Sequence, residues 1–325
     1  MMRATVMGGG VAGLCVATEL VARGCEVTVF DPAARPGPHS CSWWAGGMLA
    51  PFCEGETAEE PVVRLGKEAA DWWAQQGVAV ARRGTIVVTL GRDRRELDRF
   101  ARRTDGHEML DAAALARLEP DLGGRFDRAL HVSAEGHLDP RAALIHLRER
   151  LGRAGVAFVA EPGRPDGLTF DCRGLVARDK LPDLRGVKGE MAVLHCPDIR
   201  LSRPVRLLHP RFPLYVVPRA GGLFMLGATQ IESDDRRPSV RSVLELLSAA
   251  YALNPAFGEA ELVEIGVDAR PAFPDNLPRL RRQGNTIHVN GLFRHGFLLA
   301  PSLARMAVEA ACDGTKPEFW HEDHD

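Results

Sequence analysis

Residues 3–7, RATVM, are a short apolar run, and residues 11–24, VAGLCVATELVARG, bring apolar side chains round at helical spacing. EVTVF, 26–30, is a second short run that stops at Asp31. The pattern predicts strand, helix, strand. Farther along, GTIVVTL (84–90) reads as a strand between helix-like stretches spanning 62–103. DAAALARLEPDL (111–122) reads as a helix that stops before Pro120. In HLDPRAALIHLRERLGRAGVAFV (137–159), Asp139 caps a helix with Pro140 in its first turn, and a strand follows. LTFDCRG (168–174) is a strand ending in a glycine, LVEIGVDA (262–269) is strand-like, and a last strand over 286–291 leads to a helix over 301–312. The fold class expected is α/β.

The turn between the first strand and helix carries Gly8, Gly10 and Gly13 as G-x-G-x-x-G, with Asp31 at the end of the second strand. Gly8 permits the tight turn, Gly10 lets the backbone approach a pyrophosphate, and Gly13 lets helix and strand pack closely. Unpaired N–H groups and the positive end of the helix dipole favour phosphate there. Asp31 can accept from a ribose hydroxyl, where a 2′-phosphate would be repelled. The unit reads as a dinucleotide site and by itself leaves FAD and NAD both open.

Composition narrows the partners. Net charge is −2, so no global field favours nucleic acid or a membrane surface. Lysine occurs only at 67, 180, 188 and 316, leaving arginine as nearly all of the basic content. The seven cysteines are scattered without a C-x-x-C pair, as expected of free thiols in a reducing, cytoplasmic setting. Residues 3–22 mimic a signal peptide, but three consecutive glycines and Glu19 argue against one. No run is long enough for a membrane span. Phosphate-binding P-loop, H-E-x-x-H and G-x-S-x-G motifs are absent, and the HEDHD tail (321–325) reads as a solvated end, so no metal is expected.

Eight stretches in order resemble the D-amino-acid-oxidase-like flavoproteins, and within them the glycine oxidases of the thiamine pathway. They are the Gly8–Asp31 unit, SWWAGGMLAP (42–51), EGHLDPRAAL (135–144), RGVKGEM (185–191), YVVPR (215–219), LGAT (226–229), RPAFPDNLP (270–278) and NGLFRHGFLLAP (290–301). The resemblance implies non-covalent FAD in a discontinuous Rossmann-like domain (1–60, 130–190 and 266–325). It also implies an α+β substrate domain (61–129 and 191–265) whose mainly antiparallel sheet roofs the flavin. Gly8, Gly10, Val11, Ala12, Gly13, Asp31, Ser42, Ala45, Gly46, Gly47, Met48 and Gly174 would hold the cofactor, together with Arg294, His295, Gly296, Phe297 and Leu298. The connection between GVAFV and DCRG is shorter than such oxidases usually have.

Amine oxidation by a flavin asks the protein mainly to position its substrate, so the absence of a hydrolytic triad is compatible with catalysis. A substrate carboxylate calls for a bidentate cation. By resemblance Arg270 supplies it, Tyr215 adds a hydroxyl, and Arg294 adds a third hydrogen bond. Gln230, His209 and Met48 would line the substrate pocket, Gln230 where many glycine oxidases have Met. His295 is expected to act through its backbone. The expected partners are a small amino-acid or amine substrate and O2, and the sequence leaves a homo-oligomer open. The activity implied is FAD-dependent glycine oxidation by hydride transfer to flavin N5. Alternatives are a same-fold oxidase of a larger N-substituted glycine or D-amino acid, a non-catalytic flavin-binding protein, and an NAD-dependent dehydrogenase.

Overall fold

The computed structural model describes residues 2–161, 163, 167–209 and 213–322. Two large sheets organise them. In the first, seven strands run in the order Trp320–Glu322, Arg279–Gln283, Thr286–Asn290, Leu168–Asp171, Arg3–Met7, Glu26–Phe30 and Ala157–Val159. Its centre is parallel, and Arg279–Gln283 pairs antiparallel with Thr286–Asn290. Val6, Val29 and Phe170 are fully buried, as expected of strands covered on both faces. Helix Val11–Ala22 packs on the C-terminal helix Gly296–Asp313, so the first and last thirds of the chain share one core.

The second sheet has nine strands and is mainly antiparallel. Its longest pairing joins Arg185–His195 to Glu261–Ala272. Strand Val205–Leu208 lies between Leu214–Pro218, antiparallel, and Thr85–Thr89, parallel. One face packs on helix Val240–Leu253 and the segment Pro255–Glu259 around Leu246, Phe224 and Phe257. This is the expected α/β cofactor layer with an antiparallel roof.

The domain seams expected at 130, 190 and 266 fall inside strands Arg128–Val132, Arg185–His195 and Glu261–Ala272, all three of which belong to the nine-stranded sheet. The shortened connection between GVAFV and DCRG, and residues 323–325 of the charged tail, fall partly or wholly outside the described residues. No helix of the described residues is long and apolar enough to cross a membrane, and they contain no cluster of three or more His, Cys, Asp or Glu side chains suited to a metal ion.

One local expectation is corrected. The last helix starts at Gly296, not at 301, and takes Pro301 inside it. A proline there removes the N–H that would bond the Phe297 carbonyl. Trp73 supplies the missing donor from another helix: its indole Nε1 donates to Phe297 O at 2.8 Å, with the two rings stacked 5.4 Å apart. That repair lets the helix begin five residues earlier and brings its N-terminus to the cavity.

Candidate active site

A cavity of about 880 Å³ runs between the sheets, from the Gly8–Ala12 turn to Arg270 and Arg294. At its dinucleotide end the chain is drawn tight. A Cβ on Gly13 would lie 1.9 Å from the Gly8 carbonyl, and one on Gly8 (φ +99°) would lie 2.6 Å from the Cys172 carbonyl. Only glycine fits either place. Gly13 accordingly does not line the cavity; it lets the turn close. The first-turn N–H groups of helix Val11–Ala22 have no partner within the helix, and Ser42 Oγ accepts from Val11 N at 3.1 Å. Asp31 accepts from Gly9 N at 2.5 Å and from Ala33 N at 2.8 Å. Two carboxylate oxygens offer about four acceptor sites, so capacity for a ribose hydroxyl remains.

Ser42, Ala45, Gly46, Gly47 and Met48 line the middle of the cavity, as do Gly174 and the run from Arg294 to Leu298. The Gly47 turn (φ +71°) leaves a Cβ only 2.3 Å from the Leu138 carbonyl. Arg219, inside the YVVPR stretch, donates to the Gly46 carbonyl at 2.6 Å and so fixes that loop from the roof. These features fit an extended dinucleotide: a phosphate-ready helix start, a ribose acceptor, and a glycine-lined passage opening beneath a sheet.

The roof holds the proposed substrate groups. Arg206, Tyr215 and Gly227 are register partners across three adjacent strands. The Tyr215 ring occupies a slot between two glycines, since a Cβ would lie 2.8 Å from it at Gly46 and 2.4 Å from its hydroxyl at Gly227. Burial pushes the Tyr215 hydroxyl up, with Arg270 and Arg206 opposing; it is a neutral donor at physiological pH.

Arg270 pairs with Val187. Its guanidinium lies over Gly189, where a Cβ would fall 2.1 Å from Nη2. Nη1 donates to the Thr229 carbonyl at 3.2 Å, and among the described residues Arg270 makes no ion pair with a carboxylate. Burial lowers its pKa. Gln230, next to Thr229, is exposed at the cavity lining, and His209 lines the cavity while facing Arg92 Nη2 at 3.4 Å.

Arg294 is differently placed. Its Nε lies 2.9 Å from Glu54 Oε2, and its Nη2 donates to Thr57 Oγ1 at 2.5 Å. Glu54 also meets Arg206 Nη2 at 2.5 Å through Oε1, and His295 Nε2 at 3.0 Å through Oε2. Burial alone would raise the Glu54 carboxyl; Arg294, Arg206 and His295 together hold it well below the usual carboxylate range. His295, expected to act through its backbone, is thus engaged by its side chain as well: its N–H donates to Leu292 O while its buried ring binds Glu54.

A family model described as FAD dependent oxidoreductase matches residues 3–310. The chain belongs to that family. Its cofactor is FAD, and it is an FAD-dependent oxidoreductase. A protein of Rhizobium etli named as a thiamine biosynthesis oxidoreductase, ThiO, is 55% identical over 309 residues, covering 93% of this chain and 94% of that one. A glycine oxidase of Pseudomonas putida is 27% identical over 349 residues, covering 94% and 93%. The solved glycine oxidase from Geobacillus kaustophilus superposes with a TM-score of 0.80 at 21% identity, over 98% of this chain and 97% of that one, and so shares the fold.

Sequence reasoning missed Glu54, Arg206 and Thr229 as parts of the site. Glu54 lies three residues beyond the SWWAGGMLAP stretch and could have been suspected there. Arg206 has no sequence signal, because its significance comes from pairing across the sheet with Tyr215.

Proposed function

We propose that this flavoenzyme oxidises glycine, or a small N-substituted glycine, to the imine, with O2 as electron acceptor and hydrogen peroxide as product. The observation that carries the reading is Arg270: a half-buried guanidinium, without a carboxylate partner among the described residues, in the same cavity as the dinucleotide turn. A substrate carboxylate would complete it by charge-assisted hydrogen bonds. Tyr215 would donate to the same group from its glycine slot. Gly8, Gly10, Val11, Ala12 and Asp31 would hold the adenosine diphosphate half of the cofactor, with Gly13 packing the turn, and Ser42, Gly46, Met48 and the Arg294–Leu298 backbone would bound the flavin. Bound FAD supplies the two-electron acceptor. The chain's own contribution is to fix the carboxylate and to exclude water from the roofed space. Similarity to the ThiO relative supports a use in thiamine biosynthesis, where the imine would be passed to thiazole formation.

The test is anaerobic bleaching of the purified yellow protein by glycine, sarcosine and small D-amino acids, followed by peroxide measurement in air. Bleaching by glycine with peroxide formation is the expected result. A flavin that none of these amines reduces would overturn the proposal.

A further inference from the structure

Glu54 touches three cationic or basic side chains from two parts of the fold. Arg206 reaches it from the nine-stranded sheet, and Arg294 and His295 from the turn before the last helix. Its side chain is 13% exposed, that of Arg206 18%. A carboxylate in this position supplies no obvious proton chemistry, since its cations keep it ionised. What it does is cancel charge.

The surrounding groups pair off. Arg206 also feels the buried Glu135, whose Oε1 accepts from Cys53 N at 2.7 Å. Arg236 pairs with Asp268 at 2.9 Å. Arg219 lies 3.9 Å from Asp139, and at the mouth Arg99 bridges Glu56 and Glu96. Among the described residues, Arg270 alone of the cavity-lining arginines has only a neutral hydrogen-bond partner.

We propose that Glu54 is a specificity residue. By sharing its carboxylate between Arg206 and Arg294, it leaves Arg270, among the described residues, as the one arginine lining the cavity without a carboxylate partner. The site then takes amines bearing one carboxylate and disfavours those bearing two. This rests on the reading of Arg270 as the carboxylate receiver. Without Glu54, Arg206 and Arg294 would present a second cationic centre to the same space, and a second anionic group would be attracted to it.

The test uses the FAD-loaded enzyme and two acids that lack an amine and so cannot be oxidised by it: methoxyacetate, with one carboxylate, and diglycolate, with two on the same ether skeleton. Dissociation constants are read from the perturbation of the flavin absorption spectrum. The native protein should bind diglycolate no better than methoxyacetate. In Glu54→Gln the ratio should move at least tenfold toward diglycolate, and in Glu54→Gln/Arg206→Met, which restores the native charge, it should return. Loss of a merely structural contact would weaken both acids alike and would not be reversed by deleting Arg206. If Glu54→Gln does not fold, Arg206→Met alone should shift the ratio the other way, toward methoxyacetate. A native preference for the diacid, or a ratio unmoved in the folded variants, overturns the proposal. If glycine still bleaches the flavin in that event, the functional reading stands and only the role of Glu54 falls.

Discussion

Arg270 donates to the carbonyl of Thr229 at 3.2 Å, and Thr229 is itself clamped to buried Glu190, whose backbone N–H donates to Thr229 Oγ1 at 2.8 Å. Thr229 N returns a bond to the Glu190 carbonyl at 3.2 Å. Arg270 is thereby oriented by a neutral acceptor that spends none of its charge. Replacing Arg270 with Met should raise the KM for glycine roughly 100-fold, the scale of losing a charge-assisted carboxylate contact. The flavin spectrum should stay near normal. Steady-state peroxide assays with parallel absorption spectra check both halves, and loss of flavin would mean that Arg270 serves the cofactor instead.

Gly189 gives a subtler version of the same experiment. An added methyl would meet Arg270 Nη2 at 2.1 Å, and the residue lies within a strand where alanine meets no backbone penalty. Gly189→Ala should keep its folding midpoint close to native while displacing the guanidinium, with a KM for glycine about tenfold higher, the scale of roughly 1.4 kcal/mol. An unchanged KM would show that the substrate does not depend on this guanidinium position.

Trp73 and Pro301 should be coupled energetically. Trp73→Phe keeps an aromatic ring against Phe297 but leaves the Phe297 carbonyl without its donor, at a cost of about 1–3 kcal/mol. Pro301→Ala supplies a backbone N–H to that carbonyl, so the cost of Trp73→Phe should shrink in its presence. Denaturant unfolding of the four proteins gives the coupling directly. Strict additivity would mean that the indole matters through packing alone.

The pH dependence follows from Glu54. Burial pushes its carboxyl up, but Arg294, Arg206 and His295 hold it well below its ordinary value of 4.5. A carboxyl more acidic in the folded than in the unfolded chain stabilises the fold at every pH above the unfolded value. That contribution fades as pH falls from there through the folded value. The difference in thermal midpoint between native protein and Glu54→Gln should therefore stay level from about pH 8 to about 5.5 and narrow below about 4.5. Narrowing already near pH 7 would show that the contribution does not come from the carboxylate.

Much of this architecture was legible in the chain. The Gly8–Asp31 unit is local, with spacing set by one strand, one turn and one helix, and such patterns survive in a linear reading. Arg270 and Tyr215 were legible only through motif resemblance, and their cavity position depends on sheet register. Arg206 escaped because nothing in VRLL marks it; its meaning arises from facing Tyr215 across a strand pair. The start of the last helix was misread because Pro301 looks like a beginning, and the donor that makes it an interior residue sits 224 positions from the Phe297 carbonyl it serves. Non-local repairs of that kind leave no periodicity to detect.

That same repair has a consequence for how the protein is made. The helix whose N-terminus borders the cavity begins at residue 296, yet its first turn is completed by Trp73 and its flank by the Val11–Ala22 helix. During synthesis the early segments must wait, apolar faces exposed, until the Gly296–Asp313 helix has left the ribosome. Contacts of such long sequence separation form late and slowly. Cofactor loading should therefore wait for that helix, and truncations that remove it should yield a chain that neither holds flavin nor stays soluble.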